Sequence, residues 1–193
     1  MRSVGVTGGI GSGKSIVCKV LETLGYPVFY ADAEAKASMQ QDAQLREGII
    51  SLLGSEAYEG SEVNRAFIAK RIFGDDALRI AMNALVHPAV FRAYDQWVSV
   101  QSAPLVFNES ALMFETGSYK RFDATILVTA DKDIRIRRVM ERDSVTEAQV
   151  LARMEKQWSD EAKKALSTAV IVNNPDVLVI PQVLKVVEEL LRS

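Results

Sequence analysis

Runs of apolar residues alternate with segments of helical periodicity along most of the chain. Each run is short and rich in branched aliphatic residues, which is typical of strands buried on both faces of a sheet. The predicted strands are about Ser3–Thr7, Val28–Tyr30, Pro104–Glu109, Ala124–Thr129 and Ala169–Val172. Because parallel strands need crossover helices between them, this alternation predicts an α/β fold.

Local signals bound the helices that connect these strands. The first helix is predicted from Lys14 to about Leu24, because Gly25 suits the position after a helix and Pro27 follows. Further helices are predicted over Asp131–Asp143, from Val145 to Trp158, and over Val179–Leu191.

The segment from about residue 33 to residue 101 is predicted to be mostly helical, without a strong strand. A break is expected over Gly54–Gly60, and Ser61 is interpreted as the N-cap of a helix that reaches Ile72. A longer helix opens at Gly74-Asp75-Asp76. A helical excursion of this length exceeds what a crossover between two strands needs, so we expect a helical substrate-binding lobe.

Composition narrows the class of protein. The chain has 193 residues, 48% hydrophobic and 25% charged, which predicts one globular domain. A net charge of −2 argues against a broad nucleic-acid surface, and a single cysteine excludes a disulfide framework. The sequence contains no leader-like or membrane-spanning apolar segment, so we expect a cytoplasmic protein with no membrane partner.

Residues Gly8–Ser15 match the phosphate-binding pattern G-x-x-x-x-G-K-[ST]. The motif lies between a predicted strand and a predicted helix, where glycine-bounded N–H groups and a helix N-terminus can surround phosphate oxygens. Lys14 is placed to reach the β- and γ-phosphates, and the Ser15 hydroxyl is placed to ligate Mg²⁺. The alternative is a glycine-rich turn with a chance lysine. The context favours a nucleoside triphosphate site.

The rest of the chain favours a small-molecule kinase over other phosphate-loop proteins. Neither the D-x-x-G switch nor the N-K-x-D guanine motif of GTPases occurs. A kinase needs a base for the acceptor hydroxyl, and Asp32 follows the second predicted strand at its carboxyl end. The alternative for Asp32 is a helix N-cap.

Two arginines of the 131–143 helix, Arg138 and Arg142, share one helix face. Facing a bound nucleotide they could stabilise the transferring phosphoryl group, and facing water they would only solvate the helix. His87-Pro88 predicts a kink or helix boundary, with His87 positioning substrate or structure. Glu115 is interpreted as an acceptor contact or a loop charge.

These motifs together resemble the dephospho-CoA kinase family over essentially the full length of the chain. The resemblance is carried by Val6–Ser15, Asp32, Leu85–Pro88, Ala111–Glu115, the set Arg138, Arg142, Arg153 and Gln157, and Asn173-Asn174. Four positions depart from the family pattern: Tyr30 replaces the first Asp of Asp-Ala-Asp, Ile16 replaces a common Thr, Ala111 replaces Pro, and Asn173 replaces Asp. The Gln often seen before the segment of Arg138 is also missing.

The resemblance implies a P-loop kinase with a parallel five-stranded sheet in the order 2-3-1-4-5, as in nucleoside monophosphate kinases. The single domain is expected to comprise a core (1–32, 102–130 and 159–193), an acceptor lobe (about 33–101) and a helical lid (about 131–158). It implies small-molecule partners, ATP with Mg²⁺ and dephospho-CoA, no nucleic acid, and a monomer or small homo-oligomer.

The implied reaction transfers the ATP γ-phosphate to the ribose 3′-hydroxyl of dephospho-CoA. The expected catalytic residues are Asp32 (base), Lys14, Arg138 and Arg142. The expected ATP-binding residues are Gly9, Gly11, Ser12, Gly13, Lys14, Ser15, Ile16 and Asn174, with Ser15 on the metal. The expected acceptor-binding residues are Asp32, His87 and Glu115. The alternatives are a kinase for another small acceptor and a nucleotide-binding module that hydrolyses little.

Overall fold

The computed structural model describes residues 1–192, which form nine α-helices and seven β-strands. The strands are β1 (Arg2–Thr7), β2 (Val28–Tyr30), β3 (Tyr58–Glu59), β4 (Glu62–Val63), β5 (Leu105–Glu109), β6 (Ala124–Thr129) and β7 (Ala169–Val172). The helices are α1 (Lys14–Thr23), α2 (Ala31–Gln41), α3 (Ala43–Leu53), α4 (Arg65–Ile72), α5 (Asp76–Ser99), α6 (Lys132–Asp143), α7 (Glu147–Met154), α8 (Asp160–Lys164) and α9 (Val179–Arg192).

Five strands form one parallel sheet in the order β2-β5-β1-β6-β7. Numbered within the sheet alone, this is the predicted order 2-3-1-4-5, so the predicted fold class is confirmed. Strand β1 is central, and Val4 lies beside Phe107 on one side and Ala124 on the other. Since parallel strands end at a common edge, the loops that follow β1, β5 and β6 emerge together.

The chain divides into two compact units, one made of Met1–Tyr30 with the chain from Gln101 onward, and the other of Ala31–Val100. In the first unit, α1 and α9 pack on one another and on the sheet. Their buried apolar side chains fill the core with those of the strands. This core includes Val4, Val6, Val17, Leu21, Leu105, Phe107, Ile126, Val128, Ile171, Val183 and Leu190.

In the second unit, α2, α3 and α4 pack against the long helix α5, and β3 pairs with β4 as an antiparallel hairpin. The helices turn one apolar stripe toward a separate core. This core includes Leu45, Ile49, Leu53, Tyr58, Ile68 and Met82. None of the helices within residues 1–192 is long and apolar enough to cross a membrane.

Two boundary predictions are wrong, the N-cap at Ser61 and the helix end at Trp158. Ser61 does not cap a helix, because it lies in the turn of the β3–β4 hairpin, and Asn64 caps α4 by accepting from Phe67 N. Of the two alternatives predicted at His87-Pro88, the helix boundary does not occur, because Pro88 lies within the continuous helix α5, and the kink stays a prediction.

The helix predicted to reach Trp158 ends at Met154 instead. A separate short helix, α8, follows it, and the Ser159 hydroxyl caps α8 by accepting from Ala162 N. The prediction overlooked Ser159 as a cap. The chain after Val145 therefore forms two helices, α7 and α8, where one helix reaching Trp158 was predicted.

Candidate active site

The phosphate-loop motif forms the connection between β1 and α1. Gly11 and Gly13 take left-handed conformations, with φ of 79° and 91°, which glycine adopts without the strain of a side chain. Gly13 is also closely packed, because a Cβ atom there would lie 2.0 Å from Nδ2 of Asn173. Both the backbone conformation and the close packing therefore require glycine at these positions of the motif.

Lys14 folds back over the loop that precedes it. Its Nζ donates to the carbonyl oxygen of Gly8 at 3.0 Å and lies 3.8 Å from Oε1 of Glu109. Glu109 ends β5, the strand that pairs with β1, so the carboxylate reaches the loop from the common sheet edge. Both side chains are largely buried.

The loop and helix α6 enclose a cavity of about 240 Å³. Its lining residues come from the phosphate loop, the end of β5 and one face of α6: Gly11, Gly13, Lys14, Ser15, Glu109, Arg138, Val139 and Arg142. The structure thus brings together four of the predicted loop residues and both predicted arginines. The lysine and arginine side chains suit the negative oxygens of a phosphate chain, and the oxygens of Ser15 and Glu109 suit a cation bound beside it.

The two predicted arginines differ in what they contact. Nη1 of Arg138 is buried and has no hydrogen-bond partner within residues 1–192. Arg142 is 63% exposed, and its Nε donates to Asp143 at 2.7 Å. The hydrogen bond from Arg142, with a second one from Arg153, lowers the pKa of Asp143 to about 2. Asp143 is therefore ionised across the ordinary pH range.

Contacts that the sequence did not reveal hold the outer side of the phosphate loop. Nε of Arg135 donates to the carbonyl oxygen of Ile10 at 3.0 Å, and Oε1 of Gln157 accepts from Ile10 N at 2.9 Å. Arg135 was only one charge in a basic helix at the level of sequence. Its partner lies 125 residues away, so no local pattern could have singled it out.

The end of β7 holds the other side of the loop. Nδ2 of the buried Asn173 donates to the carbonyl oxygen of Ser12 at 2.9 Å. An aspartate at this position could not donate this bond, so the departure from the family pattern has a local use here. Oδ1 of Asn174 accepts from Asp131 N at 3.0 Å. A contact of Asn174 with ATP stays a prediction, as do those of Gly9, Ser12 and the exposed Ile16.

Glu115 follows β5 and is engaged by the protein itself. Its Oε1 lies 2.7 Å from Nζ of the fully buried Lys163 and accepts from Trp158 N at 2.8 Å. Its Oε2 is buried without a hydrogen-bond partner in the described part of the chain. A contact of Glu115 with the acceptor stays a prediction.

The remaining predicted residues, Asp32 and His87, belong to the Ala31–Val100 unit. Helix α2 begins at Ala31, directly after β2, so Asp32 is an exposed residue of its first turn, and the N-cap alternative is wrong. His87 lies half-buried in α5, with its ring 6.2 Å from that of Phe91, and burial lowers its pKa. The roles of both residues stay predictions.

Comparison with known proteins identifies similar chains. The model of the dephospho-CoA kinase family matches residues 2–178. A dephospho-CoA kinase of Salinibacter ruber is 40% identical over 178 residues, 90% of this chain and 89% of that protein. A crystal structure from Thermus thermophilus is 37% identical with a TM-score of 0.88, covering 97% of this chain and 96% of that one.

A dephospho-CoA kinase structure from Campylobacter jejuni has the same fold. It aligns with a TM-score of 0.72 over 98% of this chain and 97% of that one. Its sequence is only 22% identical, so this likeness concerns the fold.

Proposed function

The chain belongs to the dephospho-CoA kinase family, and from that membership we propose which of its residues carry the reaction. It is an ATP-dependent kinase, and the family acts in the last step of coenzyme A synthesis. We propose that its acceptor is dephospho-CoA, that it acts in the cytoplasm as a monomer or small homo-oligomer, and that it binds no nucleic acid.

The ATP phosphates are proposed to bind in the cavity between the phosphate loop and α6. The observation that carries this proposal is Arg138, which lines the same cavity as Lys14 and Ser15. Its Nη1 is buried and has no hydrogen-bond partner within residues 1–192. A buried guanidinium nitrogen without a partner is costly, and phosphate oxygens would satisfy it. Arg138 and Lys14 then balance the charge that spreads over the transferring phosphoryl group.

The same cavity suits a magnesium ion. The Ser15 hydroxyl and the Glu109 carboxylate both line it, and Mg²⁺ prefers oxygen ligands. Within residues 1–192 there is no cluster of three acidic, His or Cys groups, which fits an ion held by one or two protein oxygens together with phosphates and water. Ser15 is proposed as its ligand, with Glu109 nearby, and the bound ion would supply positive charge beside the β- and γ-phosphates.

Asp32 is proposed as the base that accepts the proton of the ribose 3′-hydroxyl. It stands two residues after Tyr30, whose partner in the sheet is Glu109, so the covalent chain ties it to the common edge of the strands. Its carboxylate is exposed and does not cap α2, which leaves it available for a proton. His87 and Glu115 are proposed to position the acceptor.

Asp32→Asn tests the base. This variant should still bind MgATP but lose about 10²–10⁴-fold in turnover, the contribution of a positioned general base. Glu34→Gln is the matched control, because it removes a carboxylate from the same turn of α2 and should keep near-normal turnover. Near-normal turnover of Asp32→Asn would exclude Asp32 as the base.

The acceptor is tested with purified protein, ATP and Mg²⁺, by following ADP and coenzyme A as dephospho-CoA is added. We expect ADP to form in proportion to coenzyme A. If a nucleotide or a sugar supports turnover while dephospho-CoA does not, the acceptor assignment is wrong. If ADP forms at the same slow rate without any acceptor, the chain acts as a nucleotide-binding module.

A further inference from the structure

We propose that Arg135 is a positioning residue for the phosphate loop: together with Asp160 it holds the loop tip, Gly9–Gly11, in the conformation that receives the ATP phosphates. This inference rests on the proposed function, since it assumes that MgATP binds at the loop. It assigns Arg135 no contact with the nucleotide. Its action is on the backbone that makes that contact.

The guanidinium of Arg135 makes two directed contacts. Its Nε donates to the carbonyl oxygen of Ile10 at 3.0 Å, and its Nη1 lies 3.0 Å from Oδ2 of Asp160. The side chains of Arg135 and Asp160 are only 11% and 20% exposed. A charge-assisted hydrogen bond to a carbonyl is stronger than a neutral one, and limited solvent access preserves that strength.

The carboxylate that orients Arg135 is itself fixed to the sheet. Asp160 begins α8 and accepts a hydrogen bond from the hydroxyl of Thr129, the last residue of β6. Strand β6 pairs with β1, which leads directly into the phosphate loop. The contacts from Ile10 to Arg135, Asp160 and Thr129 therefore brace the loop tip against the neighbouring strand.

The loop tip and Arg135 also fit together sterically. A Cβ atom on Gly9 would lie 1.9 Å from Nη2 of Arg135, and one on Gly11 would lie 2.5 Å from the Arg135 carbonyl oxygen. The guanidinium and the backbone of Arg135 thus pack closely against the loop. Because Gln157 accepts from Ile10 N, the backbone N–H and C=O of Ile10 are both engaged by side chains from outside the loop.

The charges separate Arg135 from a phosphate ligand. Asp160 balances the charge of Arg135. Arg138, three residues later, lines the cavity, and its buried Nη1 has no hydrogen-bond partner in the described chain. Arg135 is also absent from the residues that line this cavity. Two arginines of one helix therefore have different roles: Arg138 is suited to binding the nucleotide, and Arg135 is suited to holding the loop.

Loss of the Arg135 contacts should affect binding of ATP more than binding of the acceptor. Without them the Ile10–Gly11 peptide can rotate, and part of the ATP binding free energy is then used to order the loop. We expect Arg135→Met to raise the Kd and KM for MgATP by about 10- to 100-fold, as expected for a charge-assisted hydrogen bond. The KM for dephospho-CoA should stay within about twofold, by the same argument.

The variants that test this inference are Arg135→Met, Arg135→Lys and Asp160→Asn. Arg135→Lys keeps the charge but loses the fork that reaches both partners, so it should show the same selective rise in KM for MgATP. Asp160→Asn should show a smaller rise, and the double variant Arg135→Met/Asp160→Asn should cost less than the sum of its parts. The matched control is Arg137→Met, which removes an exposed arginine of the same helix.

A measurement without nucleotide separates this inference from the proposed function. Amide hydrogen exchange of Ile10 and Ser12 should be faster in Arg135→Met than in the native chain and in Arg137→Met. If the native chain shows no binding of MgATP by calorimetry, the proposed function fails while the exchange result still stands.

Four outcomes overturn the inference: unchanged exchange at Ile10, unchanged KM for MgATP in Arg135→Lys and Asp160→Asn, an equal rise in both substrate KM values, or additive effects in the double variant. If Arg135→Met does not fold, the other two single variants decide.

Discussion

The buried pair Lys163–Glu115 offers a sharp test of how the first unit is held together. The side chain of Lys163 is 0% exposed and that of Glu115 is 13% exposed, with 2.7 Å between Nζ and Oε1. Lys163→Met keeps an unbranched apolar stem of similar length but removes the positive charge. Glu115 would then keep only the hydrogen bond from Trp158 N.

The expected cost follows from the burial of this carboxylate. Removing one partner of a buried ion pair costs about 3–5 kcal/mol, because the other charge is left without compensation. With a urea dependence of about 2 kcal/mol per molar, this loss lowers the unfolding midpoint by about 2 M. The double variant Lys163→Met/Glu115→Gln removes the stranded charge, so it should recover most of that loss.

The assay is urea unfolding at pH 7, followed by the fluorescence of Trp158. The chain has two tryptophans, so Trp97→Phe is used as the background in every sample. Lys164→Met is the matched control, since it removes an exposed lysine next to Lys163 and should leave the midpoint nearly unchanged. If Lys163→Met shifts the midpoint no more than this control, the pair does not stabilise the unit and the reasoning is refuted.

Three further predictions concern single groups. Burial raises the pKa of Cys18 to about 12, so the thiol should not react with a disulfide reagent at pH 8 until urea unfolds the chain; fast reaction in the native state would contradict this. Burial lowers the pKa of His87 below 6.5, so the unfolded chain binds more protons and stability should fall as the pH drops through 6.5; His87→Gln should flatten that part of the urea profile, and an unchanged slope would count against it. Arg138→Met should reduce turnover by about 10²–10³-fold and more than Arg142→Met, because Arg142 already has Asp143 as a partner; the reverse order in steady-state kinetics would contradict this.

The sequence predicted the sheet well because its strands are short, apolar and nearly fully buried. Strands β1, β5 and β6 are each a continuous apolar run without helical periodicity. Because crossover connections between parallel strands are right-handed, few topologies remain for such a sheet. The errors lie where two capping residues compete within a few positions. Ser61 and Asn64 are both good caps, and the hairpin that pairs Tyr58 with Val63 decides between them.

The site was predictable where its residues are contiguous. Gly8–Ser15 carries its own mechanism, so the loop, Lys14 and Ser15 follow from the motif alone. The contacts that hold the loop come from Arg135, Gln157 and Asn173, which are 125 to 161 residues away from their partners. Such contacts depend on how the helices pack on the sheet, and no spacing within a segment encodes them.

Helix α6 shows why residue type alone could not assign these roles. Arg135, Arg138 and Arg142 follow one another at spacings of three and four, which places them on one side of the helix. They differ in what each one contacts. Arg135 contacts Asp160 and the Ile10 carbonyl, and Arg142 contacts Asp143. Nη1 of Arg138 is buried without a hydrogen-bond partner in the described chain. Since Asp143 also accepts from Arg153, it would keep a partner if Arg142 turned toward a bound nucleotide. Arg135 cannot turn away in the same manner, because both Asp160 and the loop tip would then lose a partner.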